Sequence, residues 1–390
     1  MAVPTASAPQ LIDLHPAAAD LEALVVAGMQ RQPRQLPAWL LYDAEGSRLF
    51  EAICEQPEYS LTRTEVQLLE TCGPAIGRAV GAGGEAAPVV LEFGAGNARK
   101  ASPLLRALEP PAYVALDISR SALEATCTSL QAAHPAIQVL GICCDYAGAS
   151  GLPPLPALNG TPRLGFYPGS SIGNFEPEDA RALLQQFRRL LGPSGMLLIG
   201  VAQPKSVERL EAAYNDRAGV SAAFARNLLV RLNRDLAGSF EPEAFRYEAR
   251  WQPEHSRIAM ALVSLRPQEV RLAGRSWPFR AGEVLITEYS VKYSPAPFQE
   301  LAHAAGWRAL QCWSDPQGDL SLYLLAHADS TRAPSHCRNV EGRATPGHPR
   351  PARGPDRPAG AALCRQLRAA HRAQPGRGRH RPAHPAAAAL

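Results

Sequence analysis

The chain of 390 residues lacks most of what would place it in a membrane, a secretory route or a metal-dependent class. No apolar run reaches the length of about 18 residues that a helix needs to cross a bilayer. The first thirty residues show no basic segment followed by an apolar one, so no secretory leader is expected. The eight cysteines include no C-x-x-C pair and no paired metal pattern. Reduced thiols in a cytoplasmic protein, with no bound metal, are the expectation.

Charge is unevenly spread. Residues 331–390 hold twelve of the forty basic residues, all arginine, and two of the thirty-six acidic ones. The rest then carries 28 basic against 34 acidic residues, a mildly acidic body with nothing that suggests a nucleic-acid surface. Residues 331–390 also contain nine prolines and no Phe, Tyr, Trp or Ile. Such a composition cannot bury a core, and a disordered Arg/Pro/Ala-rich tail is expected there.

What is present is centred on Pro88–Lys100. Val89–Phe93 is a short apolar run of strand type, broken by Gly94-Ala95-Gly96, and an amphipathic pattern follows from Ala98 through Leu108. A glycine turn between strand and helix lets a ligand lie against bare backbone, near unpaired N–H groups of the helix start. A second strand, Tyr113–Leu116, ends in Asp117, an acid placed to accept the hydroxyls of a ribose. Further strands at Ile137–Cys143, Arg163–Tyr167 and Gly195–Val201 alternate with helices at Ser119–His134 and Pro177–Leu191. That alternation implies an α/β fold with a parallel sheet and right-handed crossovers.

On either side the pattern differs. Helices are expected at Ala17–Arg31, within Leu40–Cys54 and at Arg63–Val80, after a frayed Met1–Gln10. Between about 205 and 289 lies an insertion. Two helices, Ser206–Asp216 and Val220–Leu236, precede strands at Phe245–Trp251, Arg257–Arg266, Gln268–Leu272 and Glu283–Glu288. A helix at Pro297–Ala305 and a hairpin of Trp307–Trp313 with Leu320–Ala326 close the fold.

The glycine turn departs from a dinucleotide fingerprint, because Arg99 stands where the third glycine of G-x-G-x-x-G would be. Glu92 immediately precedes the turn, and Asp145-Tyr146 closes the third strand. Acids at the ends of successive strands suit a cationic adenosine ligand, S-adenosylmethionine, better than a pyrophosphate. Pattern alone leaves three readings: a methyltransferase, a nicotinamide enzyme and a nucleoside binder without turnover. Several residues also have plainer roles available. Asp117 and Asn174 could cap helices, Glu288 could pair with Lys292, and Tyr59 and Tyr214 could be core tyrosines.

Five separated segments narrow the choice. They are Tyr42–Phe50 (YDAEGSRLF), Pro57–Glu65 (PEYSLTRTE), Gly169–Asn174 (GSSIGN), Ala213–Phe224 (AYNDRAGVSAAF) and Thr287–Tyr293 (TEYSVKY). Together they resemble the histidine-specific N-alpha-methyltransferases, which make trimethylhistidine (hercynine) on the route to ergothioneine. The resemblance runs from about Leu36 to Leu325. It implies a Rossmann-like class I S-adenosylmethionine-dependent methyltransferase sheet with a second, smaller α+β substrate domain. Residues 11–63 plus 205–289 would form the substrate domain, and 64–204 plus 290–328 the methyltransferase domain. The resemblance matches Gly94, Lys100, Asp117, Asp145 and Tyr146 to cofactor contacts and places Tyr42 close by. It matches Tyr59, Asn174 and Tyr214 to the substrate's amino-acid end, and Glu288 and Ser290 to its imidazole. A monomer acting on free L-histidine, without nucleic acid or membrane, is the expectation.

Chemistry accounts for these residue types. Methyl transfer is a displacement at a sulfonium carbon, so catalysis is largely the alignment of a neutral amine. Asn174 can accept from the amine and donate to the carboxylate, and Tyr59 can donate without adding charge; these two are the expected catalytic pair. Small residues at Gly169, Ser170 and Ser171 leave room for successive methyl groups. Glu288 can accept a ring N–H while Ser290 donates to the other nitrogen. One departure stands out: Tyr289 lies between them, where a smaller aliphatic residue is expected. Strand alternation should turn its ring away from the substrate.

Overall fold

The computed structural model describes residues 9–14, 20–82, 87–96 and 98–329, together with the backbone of 338–339. Most of the expected tail and most of the expected frayed N-terminus lie outside the described residues.

Strand β1 (Gln10–Asp13) comes first. Helix α1 (Leu21–Met29) starts at Asp20, whose carboxylate accepts the Ala23 N–H. The short β2 (Arg34–Gln35) precedes α2 (Ala44–Glu55), which Asp43 caps through the Gly46 N–H. Helix α3 (Leu61–Val80) stops at Gly81, whose φ of 78° is the left-handed conformation that glycine adopts without strain. Strand and helix then alternate through β3 (Val89–Phe93), α4 (Ala101–Leu108), β4 (Ala112–Asp117), α5 (Arg120–Ala133) and β5 (Gln138–Cys143). The series continues with β6 (Arg163–Tyr167), α6 (Pro177–Leu191) and β7 (Met196–Ala202). The insertion begins with α7 (Val207–Tyr214) and α8 (Val220–Asp235). Strands β8 (Phe245–Gln252), β9 (Arg257–Ser264), β10 (Gln268–Leu272), β11 (Arg275–Phe279) and β12 (Val284–Val291) follow. Helix α9 (Pro295–Ala304), β13 (Trp307–Ser314), β14 (Leu320–His327) and β15 (Arg338–Asn339) end the described chain.

The large sheet has the order β1-β5-β4-β3-β6-β7-β14-β13-β15. Its strands are parallel from β1 to β7, and β14 reverses direction as half of the closing hairpin. The order reverses at β3: β4 and β5 lie to one side of it and β6 and β7 to the other. Ligands in such sheets bind at the carboxyl ends of the strands near that switch point. The central strands are buried on both faces, which is why they read as largely apolar runs, with Glu92 and Asp117 at their carboxyl ends. One face packs Phe93, Phe187, Trp307 and Tyr323; the other packs Leu69, Leu104 and Leu105 from α3 and α4.

A second sheet, β2-β12-β9-β8, is covered by α8 through Leu228, Leu229, Leu262 and Leu285. Strand β12 bears on both sheets. Just after it ends, the Tyr293 N–H donates to the Ala202 carbonyl of β7 at 3.1 Å.

Several elements differ from expectation; among them β15, inside the segment expected to be a disordered tail, pairs with β13. β1 is a strand because it pairs with β5, well over a hundred residues away, and four residues carry little local signal. β11 contains Pro278, which argues against a strand in a sheet interior; it lies in a two-stranded hairpin with a free edge. Residues 98–100 form a turn, and the helix begins only at Ala101.

Phe187 is fully buried and stacks on Phe93 at 4.1 Å between ring centres. Truncation to Phe187→Ala is expected to cost about 3–5 kcal/mol, read as a lower midpoint in urea denaturation.

Candidate active site

A cavity of about 370 Å³ opens at the carboxyl end of β3 and runs to the second sheet. Its floor is the turn Gly94-Ala95-Gly96. Gly94 and Gly96 have φ of 74° and 45°, and the Gly94 N–H is tied to the Leu116 carbonyl at 2.8 Å. The turn therefore presents backbone rather than side chains to the cavity. Glu92 and Lys100 border the same end.

Glu65 organises this floor, although sequence reasoning passed over it. It belongs to the stripe Leu61, Leu68, Leu69, Cys72 and Ile76 of α3, and it is fully buried. A charged residue on an apolar stripe was the signal that could have found it. Its two oxygens accept the Gly169 N–H at 3.0 and 2.8 Å, and Lys100 Nζ lies 3.3 Å away. One carboxylate thus ties α3, the loop after β6 and the lysine after the glycine turn.

The far end is built by β12, α7 and the loop after β6. Asn174 Nδ2 donates to Glu288 Oε1 at 2.8 Å. The α6 helix begins at Glu176 without a side-chain cap, so Asn174 is committed to the cavity rather than to that helix. Tyr214 Oη and Ser290 Oγ are 3.0 Å apart. Tyr59 packs edge-on against Tyr214 at 5.9 Å, and Tyr42 packs against Phe50 and Phe224 at 5.5 and 5.3 Å. Gly173 permits the loop's approach: a Cβ there would lie 2.5 Å from the Val291 carbonyl oxygen.

A β-bulge decides which way Glu288 points. Pairing of β12 with β9 shifts register between Ile286 and Glu288. Leu285 therefore packs in the apolar core under α8, while Glu288 and Ser290, an odd number of residues on, face the cavity. Tyr289 faces away as expected. It packs with Ile286, Ala259 and Ala261, under the Arg257 guanidinium at 3.5 Å.

The cavity thus brings together Tyr42, Tyr59, Gly94, Lys100, Gly169, Ser171, Asn174, Tyr214, Glu288 and Ser290. It does not include Asp117, Asp145 or Tyr146. Asp117 ends β4, where its oxygens accept N–H groups of Ser119 at 2.9 Å and Gly96 at 3.4 Å. Asp145 accepts the Ala147 and Gly148 N–H groups. Tyr146 is 3% exposed and packs against Phe93 and Phe187. Residues not anticipated for the site are Phe50, Met260 and Phe224 in its wall, and Lys292 behind Ser290. Glu288 and Lys292 are not in ion-pair contact; Lys292 instead donates to Tyr214 and Ser290.

Burial sets the electrostatics. It pushes the Glu288 carboxyl up to about 8, with the nearby Lys292 charge opposing. It pushes Glu92 up to about 8 as well, against the hydrogen bond that Tyr113 donates to it. Burial also raises the Tyr42 and Tyr59 hydroxyls well above the ordinary range, so both are donors at neutral pH and neither is a base. Among the described residues no cluster of three or more His, Cys, Asp or Glu could hold a metal ion.

The model of the family described as histidine-specific, SAM-dependent methyltransferases matches residues 21–327. The chain is 35% identical over 314 residues to the histidine N-alpha-methyltransferase of Mycolicibacterium smegmatis, covering 79% of this chain and 95% of that protein. It is 34% identical over 308 residues to the protein of the same name from Mycobacterium tuberculosis, covering 77% and 93%. It is 28% identical over 312 residues to ergothioneine biosynthesis protein 1 of Neurospora crassa, covering 75% of this chain and 33% of that longer one.

Glu65→Ala removes one partner of a buried pair and leaves the Gly169 N–H unanswered. A loss of about 3 kcal/mol or more is expected by urea denaturation. A pH effect also follows. Glu288 and Glu92 bind a proton more tightly folded, at about 8, than unfolded, at about 4.3. Each weakens the fold as pH rises between those values. Glu288→Gln should therefore lose less stability than the unaltered protein between about pH 6 and pH 8.5.

Proposed function

We propose a function for this chain from one premise: it belongs to the family of histidine-specific, S-adenosylmethionine-dependent methyltransferases. The protein methylates the α-amino group of L-histidine, up to the trimethylated product hercynine, as a step in ergothioneine biosynthesis. The observation that carries this reading is the single cavity. It joins a glycine turn and Lys100 at one end to Asn174, Tyr214, Glu288 and Ser290 at the other.

The residues at the floor fit the cofactor. Bare backbone at Gly94–Gly96 suits a ligand pressed against the turn, and Lys100 suits its carboxylate. Glu92 borders the same end of the cavity. Asp117 has acceptor capacity left after its two backbone bonds and is assigned the ribose. Asp145 and Tyr146, following the neighbouring strand, are assigned the adenine, and Tyr42 the wall beside the cofactor. The cofactor supplies a methyl group on a positively charged sulfur.

The chain's own work is then placement. Asn174, held by Glu288 through its Nδ2, keeps its carbonyl oxygen free to accept from the substrate amine. Tyr59, kept protonated by burial, donates to the substrate carboxylate, with Tyr214 packed edge-on against it. Gly169 and Ser171 leave space for the growing ammonium. Glu288 takes a ring N–H, and Ser290 meets the other nitrogen. A site with these polar groups rejects an apolar side chain, because they would be left unpaired. The second sheet with the N-terminal segment is assigned as the substrate domain, and the large sheet as the methyltransferase domain. The protein is taken to act as a monomer in the cytoplasm; among the described residues no helix is long and apolar enough to cross a membrane.

Incubation with S-adenosylmethionine and each free amino acid, followed by mass spectrometry, should show trimethylated histidine. Gain on a different amino acid instead would sink the substrate assignment. Glu288→Ala should raise the KM for histidine about a hundredfold, equivalent to about 2.7 kcal/mol, and leave cofactor affinity nearly unchanged by calorimetry. Equal loss of both would make Glu288 structural.

A further inference from the structure

We propose that Lys292 is a positioning residue that makes one end of the substrate cavity a hydrogen-bond donor and so restricts the cavity to a neutral imidazole ring. The inference rests on the histidine reading above and extends it to the protonation state of the ring and to the residue that selects it.

Lys292 lies one residue beyond β12 and is 3% exposed. It stands behind the cavity wall, not in it. Its Nζ donates to Tyr214 Oη at 2.5 Å and to Ser290 Oγ at 2.6 Å, and lies 4.7 Å from the centre of the Tyr214 ring. Those two hydroxyls are 3.0 Å from each other, and both border the cavity. Among the described residues no carboxylate lies within ion-pair distance of Lys292. The titratable groups around it are Glu288 on its own strand, Tyr214 on α7, and Tyr59. Lys205 and Asp319, paired with each other at 3.6 Å, share a second cavity of about 20 Å³ with it.

Counting protons limits the directions these bonds can take. An ammonium has donors and no lone pair, so both hydroxyl oxygens accept from it. Tyr214 and Ser290 own one proton each. One of these is spent in the bond between them. The other belongs to the hydroxyl that receives two bonds, and it is free to point into the cavity that both hydroxyls border. The lone pair left on the remaining oxygen sits against the ammonium, which opposes any approaching cationic N–H. At the opposite edge Glu288, protonated below about pH 8, accepts through the carboxyl oxygen that carries no proton. Donor at one edge and acceptor at the other match a neutral imidazole, with one bare nitrogen and one N–H. An imidazolium carries two N–H groups and a charge, and would set a donor against a donor.

The KM for L-histidine at saturating S-adenosylmethionine, followed from about pH 5 to pH 8, tests this on the full chain. In the unaltered protein it should rise about tenfold per pH unit below about 6.5, as the ring protonates. Lys292→Met keeps the length of the side chain and removes the charge, so the hydroxyl pair can turn round and accept. Its KM should rise less than about threefold per unit over the same range, with cofactor affinity unchanged by calorimetry. A variant that keeps the tenfold slope would overturn the proposal and leave Lys292 a structural residue. A second measurement needs no variant: nitrogen NMR of ring-labelled histidine bound to the unaltered protein at about pH 6. One protonated and one bare nitrogen are expected; two protonated nitrogens would overturn the proposal while sparing the histidine reading. No bound histidine at any pH, with cofactor still bound, would overturn that reading and the role of Lys292 with it.

Discussion

A carboxylate cut off from water has to be answered by the protein, and Glu65 is the place where this chain meets that demand. Its neighbours on α3 form the apolar stripe that packs the helix on the large sheet, and the carboxylate arrives at the centre of that contact. Two interactions answer it, the Gly169 N–H and the Lys100 ammonium. Both belong to segments that build the cavity. Helix packing and cavity geometry are therefore one problem with one solution. The space around Glu65 is as constrained as its charge: a Cβ on Gly200 of β7 would lie 2.0 Å from Glu65 Oε1.

The parallel part of the fold was legible because each strand announces itself twice. Val89–Phe93, apart from Glu92, and Met196–Ala202 are apolar, as strands buried on both faces tend to be, and glycine or acidic residues mark their ends. What was not legible depends on partners distant in sequence. β1 exists only by pairing with β5, and β11 only as the mate of β10. The site divides in the same way. Glycine turn, strand-end acids and small-residue loop are local patterns. Glu65 and Lys292 are not: each is a charged residue whose role appears only when the group it answers has been brought beside it.

Glu288 shows how a correct assignment can rest on an incomplete geometry. Alternation along β12 puts Glu288, Ser290 and Lys292 on one side and Tyr289 on the other, and the structure agrees. The same alternation carried back would set Leu285 opposite Glu288. The bulge between Ile286 and Glu288 lets both face inward, the leucine into the core beneath α8 and the glutamate into the cavity. An extra residue in a strand leaves no trace in a hydrophobic pattern, because the pattern on each side of it stays regular. Here that residue is Thr287, whose hydroxyl donates to the Met260 carbonyl of β9.

Strand β12 has a further consequence through its two attachments. Its body is paired in the small sheet, and the residues just past its end are tied to β7 of the large one. The groups assigned to the side chain of the substrate hang from this one span, like marks on a ruler clamped at both ends. The glycine turn assigned to the cofactor belongs to a different span. Exchanging residues along β12, or shifting its bulge, would re-cut the pocket for another amino acid without disturbing the seat of the methyl donor. The fold separates what is donated from what receives it, and each can be altered on its own.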